Sequence, residues 1–207
     1  GRRLLAWVVP WLPLVLPLYL IRLQLGPLPT TGLELILLAL FGVFTATDGW
    51  RGWLEGWKKL GYWKVPIVAW LVTTLVAVFI APDKISGLGL WRAYVLEPIL
   101  LFVLCQVVLY SAMQREQLKR SFYLIVFPLV AWAIWQFATG QGIPQPWNVS
   151  ISEGRRATGP YPFPNALALF IAPIVSLGIA EWIQTPKKTF PLVTAIAGLI
   201  GILLAQS

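Results

Sequence analysis

The chain has 207 residues, of which 58% are hydrophobic and 12% are charged, and its mean hydropathy is +0.75. Soluble globular domains carry roughly 25% charged residues, so this composition excludes a soluble domain and indicates a membrane protein. The net charge of +8 comes from Lys and Arg in short clusters between apolar runs, which favours membrane topology over a nucleic-acid partner.

Apolar runs recur along the whole chain, and several reach the length that a bilayer core of about 30 Å requires of a helix. They are continuous rather than alternating, which favours helices over transmembrane strands. We predict an all-α, polytopic helical bundle of about seven transmembrane helices in a single transmembrane domain over 1–207. The predicted spans are 4–21, 32–47, 65–81, 93–113, 121–139, 163–183 and 190–205.

The two chain ends carry further expectations. The start "GRR" before an apolar run resembles a signal peptide, but the run is long, contains three prolines and lacks a small-x-small cleavage site, so we interpret it as the first spanning helix. The chain begins with Gly1 and stops at Ser207 directly after an apolar run. We expect it to be the N-terminal part of a longer protein, truncated after Ser207.

The orientation follows from the distribution of Lys and Arg, because cytoplasmic loops carry the excess. With the N-terminus in the cytoplasm, eleven basic residues lie inside and five lie outside. The outer five are Arg22, Lys84, Arg92, Arg155 and Arg156. We therefore predict a multi-pass protein with a cytoplasmic N-terminus and a periplasmic loop around Arg155 and Arg156.

The segment 48–64, "DGWRGWLEGWKKLGYWK", interleaves four tryptophans with basic residues. Aromatic rings at headgroup depth, with cations toward anionic lipid, are typical of an interfacial anchor. A specific lipid-headgroup site is the alternative. Near the end of the chain, Ala197, Gly201 and Ala205 recur every four residues, which predicts close packing against a neighbouring helix.

Acidic residues at the edges of apolar runs are the first candidates for function, because an uncompensated charge at the membrane centre costs at least about 2.5 kcal/mol. Glu97 lies one turn inside the fourth predicted span, five residues after Arg92. It is either paired with Arg92 to fix the local geometry, or part of an outward-facing polar cavity that Glu34 also joins. Glu181 and Asp48 lie at cytoplasmic edges and are expected to be solvated.

The stretch 153–173, "EGRRATGPYPFPNALALFIAP", places Arg155 and Arg156 on the outer side, against the positive-inside bias. Guanidinium groups bind phosphate oxygens in a bidentate manner, so the pair suits a diphosphate. Gly159 permits a turn, Pro164 and its neighbours stiffen the loop, and Asn165 is a predicted N-cap of the sixth span. Snorkelling of the arginines to lipid phosphates is the alternative.

Four segments carry a family resemblance: "GLWRAYVLEPILLFVL", "WQFATGQGIPQPWN", "GRRATGPYPFPNALALFIAPI" and "GILLAQS". In this order they resemble the bacterial O-antigen ligase and O-antigen polymerase superfamily, integral membrane glycosyltransferases of the GT-C type. The most specific element is R-x-x-G followed by P-N, here Arg156, Gly159, Pro164 and Asn165.

The resemblance implies an enzyme of the bacterial inner membrane that acts on the periplasmic face without metal, cofactor or nucleotide sugar. Its donor would be a glycan on undecaprenyl diphosphate, and its acceptor a lipid A-core sugar in a ligase or a second carrier-linked glycan in a polymerase. Arg156 matches a family arginine that contacts the donor diphosphate, and Arg155 is a second candidate. The ligases' catalytic histidine would lie beyond Ser207. A separate hypothesis rests only on the expected burial and outer position of Glu97: this residue orients Arg156 or binds a sugar hydroxyl.

A transporter or flippase-like protein is the competing class, because Pro-interrupted helices and intramembrane acids also occur there. Transporters place ionisable residues near the midplane in repeated helices. Here the candidates Glu34, Arg92, Glu97, Arg155 and Arg156 lie toward one face, and no internal repeat is evident. This placement favours the enzyme.

Overall fold

The computed structural model describes residues 1–25 and 28–206. The chain divides into two compact units, Gly1–Leu118 and Lys119–Ser207. The predicted single transmembrane domain over 1–207 stays a prediction. Ser207, at which we expect the truncation, lies outside the described residues.

The protein is 80% helical, and its described residues include six helices that are long and apolar enough to cross a membrane. These are Arg2–Leu20, Gly32–Lys59, Gly61–Ile80, Lys84–Val108, Ala112–Thr139 and Pro164–Gln184. A shorter apolar helix covers Thr189–Ala205. The predicted class, an all-α helical membrane protein, is supported, whereas the count of seven spans and the GT-C type stay predictions.

The first unit begins with α1 (Arg2–Val8), which continues as a 3₁₀ helix over Val9–Leu20. The predicted first span, 4–21, coincides with the apolar helix Arg2–Leu20, but most of it is 3₁₀ rather than α-helical. Prolines at positions 10, 13 and 17 each remove one backbone donor, so the regular ladder of α-helical hydrogen bonds cannot form through this run.

A small antiparallel hairpin joins the first two helical regions, with β1 (Arg22–Leu25) paired to β2 (Leu28–Thr31). Arg22 is opposite Thr31, and Leu23 is opposite Thr30. The sequence reasoning missed this hairpin. The signal was present, because "RLQL" alternates polar and apolar residues with the period of a strand.

The helix α2 (Gly32–Lys59) contains a sharp reversal at Gly49, which has φ 58° and ψ −160°. Beyond it, Trp53 packs edge-on against Phe44 with 4.8 Å between ring centroids and donates from Nε1 to Thr45 Oγ1 at 3.0 Å. Residues eight positions apart cannot meet on a straight helix. The predicted boundary between the second span and the interfacial segment therefore coincides with a change of direction, and the start of that segment is helical.

A 3₁₀ turn over Gly61–Trp63 leads into α3 (Lys64–Ile80), which is followed by α4 (Lys84–Trp91). A π-helical turn over Arg92–Leu96 then connects α4 to α5 (Glu97–Val108). Pro98 has no N–H to donate to the preceding turn, which explains the wider π geometry at this point.

Among the described residues of the first unit, two apolar clusters contribute to the core. One contains buried residues of α1, α2 and α5, among them Leu5, Phe44 and Leu104. The other joins α3 to α5 through Ile67, Ile99 and other buried residues. The helices of this unit thus pack against one another along narrow apolar faces, and most of their remaining surface is exposed.

In the second unit, α7 (Pro164–Gln184) packs against α8 (Thr189–Ala205). Both contact the part of α6 (Ala112–Thr139) that belongs to this unit. Gly198 and Gly201 are buried in this contact, and Ala205 is buried at the helix end. Ala197 is only half-buried. Gly201 and Ala205 of the predicted small-residue face are thus buried, but at the third position Gly198, not Ala197, makes the close approach.

Candidate functional site

The candidate donor site lies in the long connection between α6 and α7, residues 140–163, within the second unit. Its centre is the side chain of Gln136, which is fully buried in the last turns of α6. Its Oε1 accepts from the backbone N–H groups of Thr158, at 3.0 Å, and Gly159, at 2.7 Å. Its Nε2 donates to the carbonyls of Gly142, at 2.8 Å, and Gly159, at 2.9 Å.

The single side-chain amide of Gln136 thus forms hydrogen bonds with backbone groups near both ends of the α6–α7 connection. The sequence reasoning missed it, because only ionisable residues were considered within the apolar runs. A neutral amide inside an apolar run also requires partners, so this glutamine between Trp135 and Phe137 was a usable signal.

Arg155 is fastened to the backbone of its own surroundings. Its Nε donates to the carbonyl of Val149 at 2.8 Å, and its Nη1 donates to the carbonyl of Phe137 at 2.9 Å. Phe137 lies in the last turn of α6, where helical carbonyls lack partners and the helix dipole favours a cation. Arg155 therefore closes the C-terminal end of α6, and its predicted contact with a diphosphate stays a prediction.

Arg156 joins two helix ends. Its Nε donates to the carbonyl of Ala205, the last residue of α8, at 2.8 Å. Its Nη2 donates to Asn165 Oδ1 at the start of α7, at 2.9 Å. The guanidinium also lies over the ring of Trp147, 4.9 Å from the centroid. The adjacent N–H of Ala157 donates to the carbonyl of Leu204 at 2.9 Å, so the loop is held along the end of α8.

The prediction that Asn165 caps α7 was wrong. The N-cap residue is Phe163, which has no capping side chain, and Pro164 is the first helical residue, where its missing N–H costs nothing. Asn165 instead orients Arg156 through its amide oxygen. Gly159 has φ 58°, a backbone conformation that favours glycine, and a Cβ at this position would lie 3.1 Å from Leu167.

A short 3₁₀ turn, Ile151–Glu153, precedes the arginines and has its own capping box. Ser150 Oγ donates to Glu153 Oε2 at 2.8 Å, and the Ser150 N–H donates to the same oxygen at 3.1 Å. These hydrogen bonds lower the pKa of the Glu153 carboxyl below its usual range. The carboxylate therefore stays ionised at neutral pH, and the turn before Arg155 keeps its cap.

The second group of predicted site residues lies in the first unit, where Arg92 contacts both predicted acids. Its Nη2 is 2.8 Å from Glu34 Oε2, and its Nε is 3.3 Å from Glu97 Oε1. Both carboxylates are buried. Glu34 also accepts from Thr30 Oγ1 at 2.7 Å and forms a capping box with Thr31 at the start of α2. The structure therefore brings Arg92, Glu34 and Glu97 together in one ion-pair cluster.

The contact between Arg92 and Glu97 agrees with the first of the two predicted alternatives, in which Glu97 pairs with Arg92. The other expectations for Glu97, a polar cavity and an orienting role toward Arg156, stay predictions. Glu97 belongs to the first unit and Arg156 to the second.

Two acidic residues that were expected to be solvated are paired instead. Asp48 Oδ1 is 2.9 Å from Arg2 Nε. Glu181 Oε1 is 2.9 Å from Lys119 Nζ and 3.0 Å from Lys188 Nζ, and its Oε2 accepts from the hydroxyl of Tyr123 at 2.7 Å. Hydropathy marks these positions as span edges but does not identify partners that are distant in sequence.

Among the described residues, no group of three or more His, Cys, Asp or Glu side chains could hold a metal ion. Comparison of the chain with protein-family models, with curated proteins and with solved structures finds no match. The assignment of a function therefore rests on the residues and their geometry.

Proposed function

We propose that the chain is the donor-binding part of an O-antigen ligase-like membrane glycosyltransferase. The enzyme moves a glycan from an undecaprenyl diphosphate carrier to a lipid A-core or glycan acceptor on the periplasmic face of the bacterial inner membrane. The observation that supports this proposal is the position of Arg156. Its guanidinium is half-buried and held by Asn165 and Ala205, at the N-terminal end of α7.

A permanent cation beside the first turn of a helix suits an anion, because the unpaired N–H groups and the helix dipole add to its attraction. Arg156 is also fixed in place by groups on α7 and α8, so it would lose little entropy on binding a diphosphate. Arg155 is bound at the C-terminal end of α6, whereas Arg156 lies at the N-terminal end of α7, where an anion is favoured. Arg156 is therefore the stronger candidate of the pair.

In the proposed reaction, the bond between the anomeric carbon and the carrier diphosphate oxygen breaks, and its electron pair stays on the diphosphate. An acceptor hydroxyl oxygen forms the new glycosidic bond and gives its proton to a base. The 207 residues contain no histidine, so an imidazole base would belong to a part of the enzyme outside them. Arg156 would stabilise the charge on the leaving diphosphate. A single well-placed hydrogen-bond donor of this kind lowers the activation free energy by about 3 kcal/mol.

The test is the rate of glycan transfer by the complete enzyme in membranes, with Arg156→Ala and Arg156→Lys. We expect Arg156→Ala to lower transfer about 100-fold. Arg156→Lys should recover only part of this loss, because lysine lacks the planar, bidentate fork. Offering both a lipid A-core and a carrier-linked glycan as acceptor separates a ligase from a polymerase.

The matched control is Arg115→Ala. Arg115 also forms hydrogen bonds to carbonyls at a helix end, those of Leu109 and Tyr110. We propose no contact between Arg115 and the carrier diphosphate. The Arg115→Ala enzyme should insert into the membrane and transfer glycan normally. Unchanged transfer by Arg156→Ala at normal expression would remove the proposal.

A further inference from the structure

An apolar groove of about 480 Å³ lies in the first unit, between α3 and α5. Trp63, Trp70 and Phe102 form its walls, and all three are exposed, Trp63 to 65% and Trp70 to 50%. The floor includes the buried side chains of Ile67 and Ile99. The groove thus has exposed aromatic walls and a buried apolar floor.

Two proline rings, which are shorter than the aromatic side chains beside them, leave the space that forms the groove. Pro66 is in the first turn of α3 and Pro98 is in the first turn of α5, and both line the groove. A hydrocarbon chain can lie in such a channel with methylene groups in contact on both sides, which gives favourable dispersion contacts. Lipid tails are as apolar as the groove itself, however, so apolar burial alone selects no particular lipid.

Selectivity for an anionic headgroup would come from two lysines near one end of the groove, Lys58 and Lys64. Lys64 directly follows Trp63, which lines the groove. Lys58 directly follows Trp57, which packs against the apolar cluster that contains Ile67 and Ile99. Neither lysine forms a salt bridge within the described part of the chain. Lys59, between them in sequence, is neutralised by Glu55 at 2.7 Å.

We propose that this groove is a specific site for an anionic phospholipid. One acyl chain lies between Trp63, Trp70 and Phe102, and the phosphate lies beside Lys58 and Lys64. Tyr62 and Trp63 are exposed at the same end and have the amphipathic rings that are typical of headgroup depth. The site is independent of the proposed donor site, because it uses only residues of the first unit.

The experiment is native mass spectrometry of the detergent-purified protein with phosphatidylglycerol or phosphatidylcholine of identical acyl chains. The wild-type protein should retain phosphatidylglycerol preferentially. A basic residue near a membrane surface contributes roughly fivefold to anionic-lipid binding, so Lys58→Gln and Lys64→Gln should each lower phosphatidylglycerol retention about fivefold and leave phosphatidylcholine unchanged.

The groove itself is tested by Trp70→Ala, which removes one wall and should lower the retention of both lipids severalfold. Lys84→Gln and Trp7→Ala are the matched controls. Lys84 forms no salt bridge in the described residues, Trp7 is exposed on α1, and neither lines the groove. Both should behave like the wild-type protein.

Equal retention of the two lipids by the wild-type protein would overturn the proposal. So would equal losses in Lys64→Gln and Lys84→Gln, which would indicate nonspecific attraction to the basic surface. Normal binding by Trp70→Ala would show that headgroups attach without the groove. Lipid-free dimers that dissociate in Trp70→Ala would identify a second copy of the chain as the occupant instead.

Discussion

At the scale of single residues, the adjacent arginines 155 and 156 serve two different helix ends. Arg155 reaches a carbonyl in the last turn of α6, and Arg156 reaches the final carbonyl of α8. Both carbonyls lie at the negative ends of helix dipoles, where a cation is favourable. The attraction of Arg156 to the C-terminal end of α8 thus both anchors the loop and positions the guanidinium that we propose for binding the donor diphosphate.

Gln136 carries the first residue-scale prediction. Gln136→Leu keeps a similar volume but leaves the buried backbone N–H groups of Thr158 and Gly159 without their acceptor. Each unsatisfied buried group costs roughly 1–3 kcal/mol, so we expect a loss of about 3 kcal/mol in unfolding free energy. Denaturant titration of the purified protein in mixed micelles measures this loss.

The control for this prediction is Gln141→Leu, a similar change at an exposed position of the same loop. Its effect should stay within about 0.5 kcal/mol, as is usual for surface substitutions. If the two variants unfold at the same denaturant concentration, the Gln136 hydrogen bonds do not stabilise the loop.

At the scale of helices, the contact of α7 with α8 depends on glycine. A Cβ on Gly198 would lie 2.4 Å from Val175 Cγ2 and 2.9 Å from Ile171 Cγ2. Methyl groups cannot approach so closely, so any side chain at this position would separate the helices. Hydropathy locates α8 but cannot decide which of its small residues faces α7, because that depends on the rotation of the helix.

Gly198→Ala is therefore expected to destabilise the protein by about 1–3 kcal/mol, the usual cost of overpacking a close contact. Gly42→Ala is the matched control. Gly42 is exposed within α2, and a Cβ there meets nothing within 4 Å, so alanine should stabilise α2 by about 0.5–1 kcal/mol. Thermal unfolding of both variants in the same detergent separates the two effects. Equal shifts would contradict a glycine-dependent contact.

At the scale of the whole molecule, the distribution of basic residues predicts which side of the membrane each loop occupies. Cys105 is the only cysteine, so a Cys105→Ser background allows single-site labelling. A cysteine at Ser152, in the loop with Arg155, should react with a membrane-impermeant maleimide added from the periplasmic side. A cysteine at Lys187, between α7 and α8, should react only after the membrane is permeabilised.

Labelling in the opposite pattern would reverse the predicted orientation, and it would also place Arg156 on the wrong side for a periplasmic donor. Labelling of both positions before permeabilisation would indicate that α7 does not cross the membrane. The Cys105→Ser protein without an introduced cysteine provides the background signal.

The sequence alone determined the membrane class and most helix positions, because hydropathy and proline placement act over neighbouring residues. The reversal at Gly49 and the 3₁₀ segment of the first helix are local as well, but they depend on dihedral angles that composition does not specify. Only the tertiary structure decided the side-chain partners. Arg156 bonds a carbonyl 49 residues away, Arg92 contacts Glu34, 58 residues away, and Gln136 holds a loop 23 residues ahead. These contacts depend on how the helices pack, and local sequence does not encode that packing directly.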